Sequence, residues 1–157
     1  MSADITGKYM VMAPVEAVVP DQRFRHLPPH LTILPWFDLA ITDRAYFHDR
    51  MSDIVEEEGF SHVAGAGREL FGPSNTKPVT ALRGVLLGVH CHAMRVMGEL
   101  DIEIDEQFTG LNYVPHVSDR REGGVEVDQE IKLTSLAVMT AGPGRIKIVD
   151  TVYELRS

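Results

Sequence analysis

The chemistry this sequence can do is concentrated in two histidine tripeptides, Pro29-His30-Leu31-Thr32 and Pro115-His116-Val117-Ser118. Each is a histidine, an apolar residue and a hydroxyl residue, preceded by proline and set in a strand-like run. In a strand, residues i and i+2 project from one face. His30 and Thr32 are therefore expected on one face, with Leu31 and Ile33 turned into the core. His116 and Ser118 repeat the arrangement, with Val117 on the other face. Two imidazoles, each beside a hydroxyl, suit proton transfer at a phosphodiester. One takes a proton from the attacking oxygen and the other gives a proton to the leaving oxygen.

With seven histidines and ordinary serine and threonine usage, roughly one His-x-Ser/Thr match is expected by chance. A single copy would decide nothing. Two copies favour a common role, since both follow proline, both have leucine or valine in the middle, and one lies in each half of the chain. The competing reading is a pair of ordinary histidines at a sheet edge.

Behind the tripeptides stand the elements that must position them. Residues 8–15 read as an opening strand, and residues 31–37 as the strand carrying the first tripeptide. Thr42 suits a helix N-cap, with Asp43 in the first turn. Phe47, Met51, Ile54 and Val55 then recur at helical spacing up to Gly59. Strands are expected over 62–71 and 79–82, joined by the turn Gly72-Pro73-Ser74-Asn75. Leu86, Val89, Ala93, Val96 and Leu100 form a second helix stripe. A short strand over 102–104, the strand of His116, and long strands over 125–139 and 145–155 follow. The turn Ala141-Gly142-Pro143-Gly144 makes the last two a hairpin. The pattern predicts one α+β domain over 1–157, built of two similar lobes with one histidine from each facing a shared cleft.

At 157 residues the chain can bury a real core, and 44% apolar with 24% charged residues is the composition of a soluble globular protein. No run approaches the ~18 apolar residues of a membrane span, and no basic-then-apolar leader opens the chain. A single cysteine, Cys91, excludes an internal disulfide and a thiolate-rich zinc site. A reducing, cytoplasmic setting is expected. The net charge of −8 disfavours a long duplex partner, which is held by neutralising phosphates. Arg23, Arg25, Arg120, Arg121, Arg145 and Lys147 leave room for a small local anion site.

The tripeptides and their surroundings resemble the 2H phosphoesterase superfamily, particularly its 2′-5′ RNA ligase group. That family is named for two His-x-Thr/Ser-x motifs, matched here by His30-Leu31-Thr32-Ile33 and His116-Val117-Ser118-Asp119. The contexts from Leu27 to Phe37 and from Tyr113 to Arg121 are similar as well. So is Leu70-Phe71-Gly72-Pro73-Ser74-Asn75 followed by Pro78-Val79-Thr80, which looks like a loop of small bacterial and phage members. The resemblance covers nearly the whole chain. It implies two lobes with pseudo-two-fold symmetry, antiparallel sheets lining a central cleft, and helices packed outside. Two departures stand out. Asp119 replaces an aliphatic residue, so the strand is expected to end or bend there, since a buried carboxylate is costly unless paired. Ser118 replaces threonine and keeps the hydroxyl.

The resemblance further implies metal-free, cofactor-free chemistry on 2′-5′ or cyclic phosphodiesters of RNA ends or small cyclic oligonucleotides, with ligation as the reverse reaction. One histidine acts as base and the other as acid, the assignment depending on substrate. An imidazole pKa of about 6.5 allows both forms near neutrality. Thr32 and Ser118 would hydrogen-bond the non-bridging oxygens where charge grows. Arg121 matches a cationic position of the motif. Tyr113, Trp36 and Phe37 read first as core residues, with stacking of one of them, such as Tyr113 or Trp36, on a base as the alternative. Phage-like members suggest destruction of cyclic oligonucleotide signals. Rival readings are a nucleotide- or RNA-end-binding module without turnover, and a zinc hydrolase. The latter needs at least three convergent ligands. His90-Cys91-His92 does not supply them, because residues two apart on a helix diverge by roughly 200°. His90 is expected beside the apolar stripe, His26 in a loop, and His48 and His62 at the surface. Glu56-Glu57-Glu58 reads as a solvated helix end.

Overall fold

The computed structural model describes the backbone of residues 6–58, 61–64, 68–71, 77–81, 87–104, 116–118 and 130–155. It describes the side chains of residues 6–57, 87–104 and 133–155. In chain order the elements are β1 (Thr6–Pro14), β2 (Arg23–Phe24), β3 (His30–Ala40), a 3-10 turn (Ile41–Asp43) and α1 (Arg44–Glu58). Next come β4 (Ser61–Ala64), β5 (Arg68–Phe71), β6 (Lys77–Ala81), α2 (Leu87–Glu99) and β7 (His116–Ser118). The chain continues with β8 (Glu130–Leu133), β9 (Ser135–Ala141), a 3-10 turn (Pro143–Arg145) and β10 (Lys147–Glu154). The class is α+β. One sheet runs β2-β10-β9-β1-β3-β7-β6-β5, and β4 pairs with β8 in a second. Among the described residues every pairing is antiparallel.

The central strands are apolar on both faces because both are covered. Val11, Ala13, Leu31, Ile33, Leu34, Phe37 and Leu39 share a cluster with Phe47, Met51, Ile54 and Val55 of α1 and Val89, Ala93, Val96 and Met97 of α2. Both helices therefore cover one face of the sheet, each by a stripe at 3–4-residue spacing. On the opposite face Met10, Met12, Val18, Leu27, Ala137, Met139 and Val149 form a second cluster, flanked by Phe24, Trp36 and Val152. Two one-residue bulges in β3 set this partition. Tyr9 faces Phe37, Val11 faces Leu34 and Met12 faces Thr32, so β3 carries an extra residue at each step.

Several expectations are corrected. The helix does not begin on a Thr42 cap: Thr42 lies inside the 3-10 turn, which starts after Ala40 with no side-chain cap. The strand expected over 62–71 is two strands in different sheets, β4 and β5. The strand expected over 125–139 breaks at Thr134, with β8 on β4 and β9 in the large sheet. Residues 102–104 form no strand. Asp101 takes φ 54°, its N–H donates to the Gly98 carbonyl, and the Ile102 N–H donates to Met97 at 2.9 Å. This Schellman closure of α2 turns Ile102 and Ile104 against the helix-side core.

The expected β9–β10 hairpin is present, closed by the Gly142 N–H on the Ile146 carbonyl at 2.7 Å. Its turn needs Gly144 at φ 67°. Gly59 and the turn Gly72-Pro73-Ser74-Asn75 lie outside the described residues. Among the described residues no helix is long and apolar enough to cross a membrane.

Candidate functional site

His30 is the first residue of β3, and the chain enters that strand through Leu27-Pro28-Pro29. The two prolines hold extended backbone. The Val15 N–H donates to the Pro29 carbonyl at 3.0 Å, and Leu27 is buried, so this entry is tied down at both ends. The His30 side chain is buried, with residue exposure of 7%. Its Nδ1 lies 2.8 Å from the Pro28 carbonyl oxygen. A carbonyl only accepts, so Nδ1 carries the proton and donates. Nε2 then carries the ring's lone pair.

Leu31 is fully buried in the helix-side cluster, as expected, and so is Ile33. Thr32, half-buried, sits opposite Met12 of the other cluster. The face of Thr32 is therefore the one turned away from the helices.

The second tripeptide forms the whole of β7, and Leu31 pairs with Val117. Stepping one residue outward in an antiparallel ladder sets His30 beside Ser118 and Thr32 beside His116. His30 and His116 are diagonal neighbours, a relation that spans about 7–8 Å. On its other side β7 pairs with β6, Thr80 facing Val117 and Ala81 facing His116. The tripeptide is thus held in register from both sides. The fold brings together in one ladder two motifs that stand far apart in the chain.

Of the other expected site residues, Trp36 is half-buried against the cluster on the Thr32 side of the sheet. Tyr113, Asp119 and Arg121 lie outside the described residues, as do the side chains of His116, Ser118 and His62. Three of the cations that left room for an anion site prove to be neighbours. Arg23 faces Ile148 and Phe24 faces Lys147, while the Lys147 ammonium donates to the Arg25 carbonyl at 2.9 Å. Arg23, Arg25 and Lys147 therefore gather at one edge of the large sheet.

Among the described residues no group of three or more His, Cys, Asp and Glu is placed to hold a metal ion. On α2, His90 turns inward while Cys91 is exposed and His92 lies 3.7 Å from Glu57. Their divergence is the one expected from the helical step.

Sequence reasoning missed two polar arrangements. His48, expected at the surface, is half-buried between α1 and β10. Its Nδ1 shares a hydrogen bond with the Tyr153 hydroxyl, and its Nε2 lies 3.2 Å from Asp150 Oδ2. One Arg44 nitrogen reaches both Asp150 oxygens at 2.8 and 3.1 Å. Burial pushes the His48 pKa down, outweighing the nearby carboxylate that favours the charged ring. The geometry agrees: Nε2 is buried without an aligned hydrogen-bond partner among the described residues, and Arg44 already engages Asp150. Burial also raises the Tyr153 pKa, so its hydroxyl stays protonated. This cluster lies on the helix side of the sheet, away from Thr32.

The second arrangement is His90, which is fully buried within the stripe of α2 rather than beside it. Its Nδ1 lies 2.8 Å from the Ile33 carbonyl oxygen. Neither His48 nor His90 had a sequence signal, since their partners are 105 and 57 residues away. Compared with known proteins, the chain matches no protein-family model and no curated protein.

Proposed function

We propose that this chain is a metal-independent phosphodiesterase of the 2H type, acting on 2′-5′ or cyclic phosphodiester bonds of RNA ends or small oligonucleotides. The observation that carries this reading is the Leu31–Val117 pair, which lays the two His-x-Thr/Ser tripeptides side by side in opposite directions. In that register each histidine neighbours the hydroxyl residue of the other motif. A diagonal gap of about 7–8 Å between the two histidine positions suits one tetrahedral phosphate between a base and an acid.

In this reading the substrate lies across the face turned away from the helices, with β3 and β7 contributed by two similar lobes. Toward a 2′,3′-cyclic phosphate, one histidine takes a proton from water as the water oxygen bonds to phosphorus. The bond from phosphorus to one ribose oxygen breaks, and the second histidine protonates that oxygen. The same step with a ribose 5′-hydroxyl in place of water joins two ends, and its reverse cleaves that diester to a cyclic phosphate and a free hydroxyl. The Thr32 and Ser118 hydroxyls donate to the non-bridging oxygens, where charge grows in the transition state. His30 is prepared for its part by the Pro28 carbonyl, which fixes the proton on Nδ1. Cytoplasmic residence and a small nucleotide or RNA-end partner complete the proposal.

The test is incubation with 2′,3′-cyclic nucleotides, 2′-5′-linked oligonucleotides and cyclic dinucleotides, each with and without EDTA. Turnover of at least one class that survives chelation and is lost in His30→Ala is the expected result. No turnover of any of them, or turnover that depends on added Zn²⁺, overturns the reading.

A further inference from the structure

The helix-side bulge in β3 has a polar clamp. Met12 faces Thr32 and Val11 faces Leu34, so Ile33 is the extra residue and has no partner in β1. Ile33 and Leu34 are both fully buried in the helix-side cluster, where strict alternation would place only one of them. A residue left over at a bulge has backbone groups outside the regular ladder, and a buried carbonyl needs a donor. His90 supplies it from α2, its Nδ1–H donating to the Ile33 oxygen at 2.8 Å.

His90 occupies a position where an aliphatic residue would continue the stripe of Val89, Ala93, Val96 and Met97. Burying an imidazole there is unfavourable without a hydrogen bond. Burial also holds the ring neutral, which fixes the proton on Nδ1 once a carbonyl is the partner. The clamped carbonyl belongs to the residue directly after Thr32. A one-residue slip at this point would carry Thr32 and His30 to the helix side of the sheet.

We propose that His90 is a positioning residue for the two-histidine site: by holding the Ile33 carbonyl it fixes the bulge that sets where Thr32 and His30 stand. The catalytic part of this inference rests on the phosphodiesterase reading. The positional part does not. His90 acts through β3 and touches no substrate.

The experiment compares His90→Asn, His90→Gln and His90→Leu in the full chain. The Asn amide nitrogen replaces Nδ1, whereas the Gln amide reaches past it and Leu has no donor. Two quantities are read: kcat and KM on a 2′,3′-cyclic nucleotide, and the NMR resonances of the Thr32 amide and the His30 imidazole. Leu and Gln should lower kcat by about tenfold or more, with KM within about twofold, because a small misplacement of reacting groups acts on the chemical step. Asn should restore kcat to within about threefold of the parent, a discrimination that simple core filling would not produce. The Thr32 and His30 resonances should move in Leu and Gln and stay in Asn.

If the Leu protein does not fold, the Asn and Gln pair decides by the same measures. Unchanged Thr32 and His30 resonances in a folded Leu or Gln protein overturn the proposal, as does indistinguishable behaviour of Asn and Gln. A parent protein that cleaves none of the probes sinks the phosphodiesterase reading instead, and the resonances alone then decide the positional claim.

Discussion

Leu31 and Val117 face each other in the β3–β7 ladder, and this pair is the pivot about which the two tripeptides are arranged. Leu31 is fully buried against the helices, so the pairing is anchored from the core side of the sheet. His30 is thereby placed by burial of its neighbour in sequence, which is how a strand aims a polar side chain. Truncating Leu31 to alanine should cost about 2–5 kcal/mol of unfolding free energy, the range for emptying a packed core position. Urea denaturation followed by circular dichroism measures this, and a loss below about 1 kcal/mol would mean that Leu31 is not the anchor.

On the proposed two-histidine reading, His30→Ala and His116→Ala should each lower turnover by about 10² or more, since each would remove one proton-transfer partner. The double variant should lose little beyond the worse single one, because the two act as a unit. Initial rates on whichever cyclic or 2′-5′ substrate the parent cleaves provide the check. Near-parental turnover in either single variant would remove that histidine from the mechanism.

Thr32→Val keeps volume and strand preference while removing the hydroxyl. A bond that strengthens as phosphate charge builds acts on kcat rather than KM. Because Leu31 pairs with Val117, antiparallel register sets Thr32 beside the His116 position, so its loss should mimic a weakened acid–base pair. Steady-state kinetics separate the two cases: a change confined to KM would make Thr32 a ground-state binding group.

What could be read in advance follows from how local each signal is. β1, β3, both helices and the closing hairpin show their own periodicity, and the stripe of α1 falls where the spacing puts it. That of α2 keeps Val89, Ala93 and Val96, adds His90 and Met97, and leaves Leu100 half-buried, while its expected Leu86 lies outside the described residues. The pairing of His30-Leu31-Thr32 with His116-Val117-Ser118 was legible only as a shared motif, because register between distant strands leaves no local mark. The break at Thr134 was hidden by apolar residues continuing on both sides of it, from Ile131 and Leu133 into Leu136 and Val138. Ile33-Leu34, two apolar residues in succession after the polar Thr32, was the one available sign of the bulge. The His48 and His90 sites required knowing that β10 and β3 pass beneath the helices.

Acid should destabilise the protein through those two rings. Burial lowers the pKa of His48 and of His90, so each is neutral in the fold while the unfolded chain titrates near the ordinary ~6.5. Above that value neither state binds the proton and the full stability is present. As pH falls through it the unfolded chain takes up protons that the native state does not, and stability declines until the lower native values are reached. The limiting slope is about 1.4 kcal/mol per pH unit for each ring. Urea midpoints at pH 7.5 and 5.5 should differ in the parent and differ less in His48→Gln and in His90→Asn, each of which leaves the other ring in place. Equal midpoints in the parent would show that the rings are not held neutral.

The Arg44–Asp150 pair should tune His48 in two opposite directions. Asp150 lies 3.2 Å from Nε2 and favours the charged ring, whereas Arg44 opposes it by charge. Asp150→Asn removes the favourable carboxylate and leaves the guanidinium, so the His48 pKa should fall further. Arg44→Met removes the opposing charge, frees Asp150 to face the ring and opens the site to water, so the pKa should rise. Titration of the His48 imidazole by NMR in the two variants reads both shifts directly. In Arg44→Met the loss of stability on acidification should shrink accordingly, since a native pKa closer to the unfolded value leaves less difference in proton uptake. If both variants move His48 the same way, burial alone governs the ring and the ion pair only fastens α1 to β10.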